Sequence, residues 1–406
     1  MKTMSKLDDM INRLCPEGVE FVKLGEVCKN ICSGGTPATS KADYYDGDIP
    51  WLRTQEVDYC EIHATLRNIT KKGLDNSSAK MIPVNCVIVA MYGATAAKVA
   101  INKIPLCTNQ ACCNLHIDNK KANYKFVYYW LCKQYEILKG LGEGTQHNIN
   151  AMKVKKFEIP LPPLEVQNEI VRILDHFTQL EAELEAELDC RKRQYEYYRD
   201  QLLNFDQFTP PERNNRVVWK KLSEVAFYPR TRIDSSKLLE NSYIGVENLR
   251  KDKLGRTNST VIPVGSVIQF IKNDILIGNI RPYLRKIWKS DCEGGTNGDV
   301  LCIRIKDNAK ISADFLFHIL SSETFFLYDI RNSKGAKMPR GDKAAVMNFE
   351  IPIPPIEEQE RIVAILDRFE ALTTSLQEGL PAEIAARRQQ YEYYRDRLLD
   401  FKKKTA

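Results

Sequence analysis

The chain has 406 residues, 43% of them hydrophobic and 28% charged, and its 59 Lys and Arg outnumber 53 Asp and Glu by six. That apolar share excludes a mostly disordered polymer, and the length allows two or three domains. The mild positive excess permits a polyanionic partner without requiring one. The longest apolar runs, such as Val87–Met91, are far below the ~20 residues a membrane-spanning helix needs. The opening MKTMSKLDDMINRL carries acidic residues where a signal peptide keeps its apolar core. A cytoplasmic chain with no membrane partner is expected. The twelve cysteines contain no Cys-x-x-Cys pair, so reduced, mostly buried thiols are expected rather than a disulfide framework or a zinc site.

In chain order, residues 1–18 hold a short helix with Leu7, Met10, Ile11 and Leu14 on one face. It is expected to pack against the far end of a long helical rod, tying the chain's start to its finish. Residues 19–156 are a block of mixed strands and helices. The stretch VNCVIVAMYGATAAKVAI, from Val84, predicts two strands around a glycine-containing turn, and 123–139 is predicted helical. Residues 157–206 open with the stiff Ile-Pro-Leu-Pro-Pro, which cannot be helical. Apolar residues then recur at helical steps: Ile170, Leu174, Phe177, Leu180, Leu184, Leu188, Tyr195, Tyr198, Leu202 and Phe205. Residues 207–348 form a second mixed block, with strands over 264–289 and 299–306 and a helix over 313–330. Residues 349–406 repeat the 157–206 segment, with Ile362, Leu366, Phe369, Leu372, Leu376, Tyr391, Tyr394, Leu398 and Phe401 on the stripe.

The repeat dictates the architecture. FEIPLPPLEVQNEIVRILDHF from Phe157 and FEIPIPPIEEQERIVAILDRF from Phe349 share 14 of 21 positions, too many for two unrelated helices. QYEYYRDQLLNF from Gln194 and QYEYYRDRLLDF from Gln390 continue the match, with extra residues around Gly379-Leu380-Pro381 that predict a break in the second rod. Between the repeats only islands correspond, such as FVKLGEV (from Phe21) with WKKLSEV (from Trp219). The fold class expected is α+β: two globular mixed domains separated by two long antiparallel helices that form a coiled coil with approximate two-fold symmetry. The roughly 40 residues of the first helix would make a rod of about 60 Å.

Polar tips flank the strands: Ser33-Gly34-Gly35-Thr36-Pro37, GEGTQHNIN over 142–150, and SKGAKMPRGD over 333–342. They carry side chains suited to phosphates and base edges. The DNA-contact candidates are Thr36, Lys98, Asn109, Gln110, Gln146 and Asn148 in the first block. In the second they are Arg281, Tyr283, Arg285, Lys286, Lys337 and Arg340. Leu174, Phe177, Tyr195, Tyr198, Leu366, Phe369, Tyr391 and Tyr394 are the candidates for helix pairing and partner docking. No catalytic residue or metal site is expected. The sequence has no Asn/Asp-Pro-Pro-Tyr/Phe, no phosphate-binding Gly-x-x-x-x-Gly-Lys-Ser/Thr, no HExxH and no Glu-x-Lys, and its five histidines are scattered.

The duplicated proline-rich entry with its helix, the duplicated QYEYYRD, SGGTP at 33–37, and the Gly-Thr-Gln and Gly-Ala-Lys-Met-Pro-Arg loops together resemble the specificity subunit of a Type I restriction–modification enzyme. The resemblance covers nearly the whole chain. It implies two target recognition domains that each read one half of a split, asymmetric double-stranded DNA site. The repeated helices would be both spacer and dock for two methyltransferase subunits, with two restriction/translocase subunits joining in the full complex. It implies further that S-adenosylmethionine, ATP and Mg are used by those other subunits, and that this chain binds no cofactor. A stand-alone tandem DNA-binding regulator without enzyme partners is the alternative.

Overall fold

The computed structural model describes residues 2–142, 148–205, 217–253, 255–374 and 379–404. Of the residues singled out above, Gln146 and Leu376 lie outside the described residues. The chain divides into two compact units, Met1–Ala182 with Ala386–Ala406, and Glu183–Ala385. These limits cut across the repeated segments, so each unit contains helix from both repeats.

The first unit is built on a five-stranded sheet ordered Cys28–Ser33, Cys112–Ile117, Val87–Ala90, Val99–Asn102, Cys60–Ile62. Val87–Ala90 is fully buried because both its faces are covered. Val87 and Val89 pack with Phe126 and Val127 of the helix Tyr124–Lys133, while Ile88 and Ala90 join Leu52, Val57 and Ile82 in a second core. A four-stranded sheet, Asn68–Ile69, Tyr45–Leu52, Leu106–Thr108, Met81–Ile82, completes the block.

The second unit repeats this plan. Val300–Ile305 and Ile275–Gly278 are paired antiparallel, as are Ile275–Gly278 and Ile287–Lys289. Ile275 and Ile277 face the core under the helix Ala313–Leu320, and Leu276 faces the opposite cluster with Phe270 and Trp288. The 264–289 stretch holds three strands, and Ser266–Phe270 belongs to a different sheet from the other two. Within the two mixed blocks, each helix expected as one piece is two. Tyr124–Lys133 is followed by Tyr135–Gly140, and Ala313–Leu320 by Glu323–Asn332. In the second case the break is local chemistry: the Ser322 hydroxyl accepts from Phe325 N and starts a new helix.

The proline-rich entries behave alike. Glu158–Pro160 pairs antiparallel with Phe21–Lys23, and Glu350–Ile353 with Val218–Lys221. Each places a buried glutamine one turn into the helix that follows. Gln167 accepts from Asn123 N and donates to Pro162 O and Lys121 O; Gln359 accepts from Ser312 N and donates to Pro354 O and Lys310 O. Both are 0% exposed, so these bonds satisfy polar groups that water cannot reach.

The first repeat helix is continuous over Leu164–Leu203, and the second is the pair Ile356–Thr374 and Leu380–Leu398. In the first unit Phe177 stacks on Tyr394 with centroids 5.2 Å apart, and Glu181 meets Arg388 at 2.6 Å. Residue numbers rise on one helix as they fall on the other, so the pair is antiparallel. In the second unit Tyr198 stacks on Phe369 at 5.5 Å. The repeat offset makes Phe369 the counterpart of Phe177, and Tyr394 the counterpart of Tyr198. The same contact is therefore built twice, with the two repeats exchanging roles. Leu174 and Leu366 are fully buried beside these stacks, Tyr391 packs on Tyr129, and Tyr195 packs on Phe369.

The chain's start meets its end inside the first unit. Leu7 is buried in the same core as Leu398 and Leu399, with Met10, Ile11 and Leu14 packed against it. Val19 N donates to Lys402 O, Lys404 N donates to Val19 O, and Lys6 pairs with Glu169.

Candidate nucleic-acid interface

In the first unit the SGGTP segment is threaded through a gap only glycine fits. A Cβ on Gly34 would lie 1.9 Å from Thr108 O, and one on Gly35 would lie 2.3 Å from Ala79 N. Gly35 N donates to Thr108 O, Trp51 Nε1 donates to Gly35 O, and Tyr45 OH donates to Pro37 O. These bonds hold Thr36 against the 108–111 turn, where its hydroxyl bonds Gln110 Oε1. Asn109 N donates to Leu52 O and its Oδ1 accepts from Cys112 Sγ. Thr36, Asn109 and Gln110, expected separately, thus form one polar patch, with Gln110 exposed. Lys98 is otherwise engaged: its ammonium lies 2.6 Å from Asp58 and over the Tyr59 ring. Asn148 is half-buried, with its Oδ1 unpartnered among the described residues.

In the second unit two segments far apart in sequence are zipped together. Arg281 N donates to Pro339 O, Gly341 N donates to Asn279 O, and Ile280 bridges Arg340. The loop itself is closed by reciprocal bonds between Lys334 and Arg340. This brings Arg281, Tyr283 and Arg340 onto one surface, all exposed, with Lys337 at the loop's tip. The Arg340 guanidinium lies 3.0 Å from Asp299. Arg281 and Arg285 both adopt left-handed backbone, φ 54° and 49°, on either side of Pro282-Tyr283-Leu284. Such a conformation costs a non-glycine residue roughly 1–2 kcal/mol and concentrates at functional loops.

Two candidates of this segment turn inward. Arg285 is ion-paired with Glu323, and the Lys286 ammonium donates to Val246 O at 2.6 Å. Burial holds the Lys286 pKa below the ordinary lysine value. Both hold their own loop in place, which a count of basic residues along the sequence does not reveal.

The sequence also did not signal a polar cluster under this loop. Asp329 is 1% exposed, and neither carboxylate oxygen has a partner among the described residues. A Cβ on Gly341 would sit 2.5 Å from Asp329 Oδ1 and 2.8 Å from Asn279 Oδ1. Burial pushes the Asp329 carboxyl up to about 6. The positions bonded in the same way in the first unit are Met91 and Ile149, both apolar core residues. On the helices, the twin residues Tyr197 and Tyr393 are about equally exposed, at 61% and 60%. Each leans edge-on against its neighbour, Tyr198 or Tyr394. Their shared place in QYEYYRD was the available signal. Among the described residues no helix is long and apolar enough to cross a membrane.

The family model described as the Type I restriction modification DNA specificity domain matches twice, at residues 16–189 and 214–386. The chain is 34% identical over 311 residues to the Escherichia coli EcoR124I/EcoR124II specificity subunit, covering 70% of this chain and 73% of that one. It is 28% identical over 402 residues to the E. coli EcoprrI specificity subunit, covering 92% and 93%. A chain from a structural study of assembly and conformational transition in the type I R-M system is similar over 94% of this chain and 97% of its own. That likeness has 16% identity and a TM-score of 0.63. The S subunit from M. genitalium is similar over 94% and 96%, at 16% identity and a TM-score of 0.52.

Proposed function

The chain belongs to the DNA specificity subunits of Type I restriction–modification systems, and from that premise we propose that its two units are separate reading heads for the two unlike halves of one DNA site. DNA recognition, with modification and restriction subunits as partners, is the family's general role; the division of labour within this chain is our reading. The observation that carries it is the pairing of a common scaffold with unlike tips. Matching strands, matching buried glutamines and matching stacks present Thr36, Asn109 and Gln110 in one unit and Arg281, Tyr283 and Arg340 in the other. Neutral hydrogen-bonding side chains and arginines prefer different base edges, since arginine suits the O6/N7 edge of guanine and amides suit adenine. The half-sites should therefore differ, separated by an unread gap that the repeated helices set.

The same reading makes the chain non-catalytic. Methyl transfer, ATP hydrolysis and their S-adenosylmethionine, ATP and Mg belong to the other subunits. The exposed twins Tyr197 and Tyr393 offer two like surfaces, which suits two copies of one methyltransferase subunit; two restriction subunits complete the assembly. The stand-alone regulator is less economical, because it leaves the twin surfaces without a use.

The test is to map methylated adenines in DNA treated with the chain and its partner methyltransferase. Two short specific blocks around a fixed gap are expected. Exchanging Thr36 and Gln110 for alanine should relax one block only, and Arg281 and Arg340 for alanine the other only. A single continuous block, or relaxation of both by either pair, would refute the two-headed reading.

A further inference from the structure

The two units build one turn alike and furnish it with different charges. In the first, Leu52 lies beside Thr108 in a parallel strand pair. The chain then turns through Arg53-Thr54-Gln55-Glu56. Glu56 N donates to Arg53 O, and Arg53 N donates to Glu56 Oε1 at 3.1 Å. In the second, Ile244 lies beside Thr296, again in a parallel pair. The chain turns through Gly245-Val246-Glu247-Asn248. Asn248 N donates to Gly245 O, and Gly245 N donates to Asn248 Oδ1 at 2.9 Å. In both turns the second carbonyl is held from outside, Thr54 O by the Thr95 hydroxyl and Val246 O by the Lys286 ammonium. The match sets Gly245 opposite Arg53 and Glu247 opposite Gln55.

Glu247 is exposed, and its carboxylate folds back over Gly245. A Cβ on Gly245 would collide with Glu247 Oε1 and lie 2.7 Å from Oε2. Glycine at the place of Arg53 therefore gives the acid its room. Backbone bonds tie this turn to the surface that carries Arg281, Tyr283 and Arg340. A Cβ on Gly278 would lie 3.0 Å from Lys286 Cβ and 3.2 Å from Val246 Cγ2, so the turn packs on the chain at Gly278. The next residue, Asn279, donates through its N to Asp299 O and accepts from Gly341 N. Asp299 in turn lies 3.0 Å from the Arg340 guanidinium. Burial, and after it the charges of Glu247 and Asp299, raise the Tyr243 pKa, so both carboxylates lie near that ring. Among the described residues no hydrogen bond or ion pair occupies the Glu247 carboxylate. Lys286 feels its charge but gives its ammonium to Val246 O.

We propose that Glu247 is a specificity-determining residue of the second unit, accepting a hydrogen bond from the N4 amino group of one cytosine in its half-site. The inference rests on the second unit reading DNA. A free carboxylate on a face that meets phosphates lowers affinity by repulsion. That cost is offset where a base offers it a donor. In the major groove cytosine presents only the N4 donor, whereas guanine presents two acceptors and thymine an acceptor beside a methyl group. An ionised carboxylate only accepts, so it favours cytosine and rejects those two bases. Gln55, at the twin position, carries an amide that both donates and accepts and so suits adenine instead.

The full chain, assembled with its partner methyltransferase, is tested on a DNA library in which every position of the second half-site is varied, with adenine methylation as the readout. Glu247→Ala should reduce discrimination at one cytosine by about 5-fold or more. Glu247→Gln, which copies the twin position, should shift the preference there toward adenine. Both should raise affinity for non-specific DNA, because each removes a negative charge from the DNA face. Glu293→Ala removes another exposed acid of the same unit and should leave every base preference unchanged. Two wild-type blocks with preferences unaltered in Glu247→Ala overturn this proposal alone. So does a loss at a base other than cytosine, or equal loosening at all positions. A wild-type site with no second block overturns the two-headed reading and this proposal with it.

Discussion

The two units share an interior and differ in how polar groups are placed on it. Gln167 and Gln359 close the same three hydrogen bonds, and the Phe177–Tyr394 and Tyr198–Phe369 stacks are one contact made twice. Where the first unit has apolar Met91 and Ile149, the second has Asn279 and Gly341 over a buried Asp329. Where the first has Lys125 and Tyr129, the second has Asp314 and His318. The repeated helices must fit one another as well as their own domain, since each unit borrows half its helical layer from the other repeat. That double constraint accounts for near-identity in the helices beside free variation in the tips.

The sharpest break of the comparison is at the glutamines. Gln359→Leu strands Ser312 N–H and the Lys310 and Pro354 carbonyls, at about 1–3 kcal/mol for each buried group left unpaired. A loss of roughly 3 kcal/mol or more is expected in the second unit, and Gln167→Leu should produce the same loss in the first. Hydrogen exchange resolved by segment measures both. Unequal losses would show that the scaffolds are less alike than their bonds.

Asp329 should separate the units by pH. Its folded-state carboxyl titrates near 6, above the ordinary value of 3.8, so the folded form holds its proton more tightly than the unfolded form. Stability is then lost as pH rises from about 4 to about 6, and the full penalty persists above that. With roughly two pH units between the two values, Asp329→Asn should stabilise the chain by about 3 kcal/mol at pH 8 and by almost nothing at pH 4. Urea titrations at the two pH values check this. No matching gain is expected from the first unit, which has apolar Met91 and Ile149 at the positions of Asn279 and Gly341.

Removing one ring of a stack is a smaller change. Phe177→Ala and Phe369→Ala each lose an aromatic contact and part of a half-buried side chain, about 2 kcal/mol apiece. Each should loosen its own unit, read by the same exchange experiment. The smallest effect is at Lys337, an exposed tip lysine. Lys337→Ala should reduce the slope of log affinity against log salt by about 0.9 if it meets one phosphate. It should leave base preference unchanged.

Much of this molecule is legible in its sequence. The duplicated proline entry and the helical steps from Ile170 to Phe205 predict a long helix made twice. Gly379-Leu380-Pro381 predicts the interruption of the second, and Leu7, Met10, Ile11 and Leu14 predict a docked N-terminal helix. These features depend on local rules: proline geometry, 3.6-residue periodicity and apolar stripes that must leave water. The polar tips were legible as segments and much less so as side chains. Charge along the sequence does not distinguish Arg281, which is exposed, from Lys286, which donates to Val246 O, because burial is decided by what the chain brings from elsewhere.

What only the tertiary structure decided is therefore pairwise and long-range. Arg281 meets the 334–341 loop through backbone bonds more than fifty residues apart in sequence. Thr36 finds Gln110 because Gly34 allows close passage past Thr108 and Gly35 past Ala79. His318 faces Asp367 because a cap and a repeat offset align two helices. The sequence alone determined which elements form and that they come in two sets. The contacts between residues distant in the chain depend on packing that no local preference encodes.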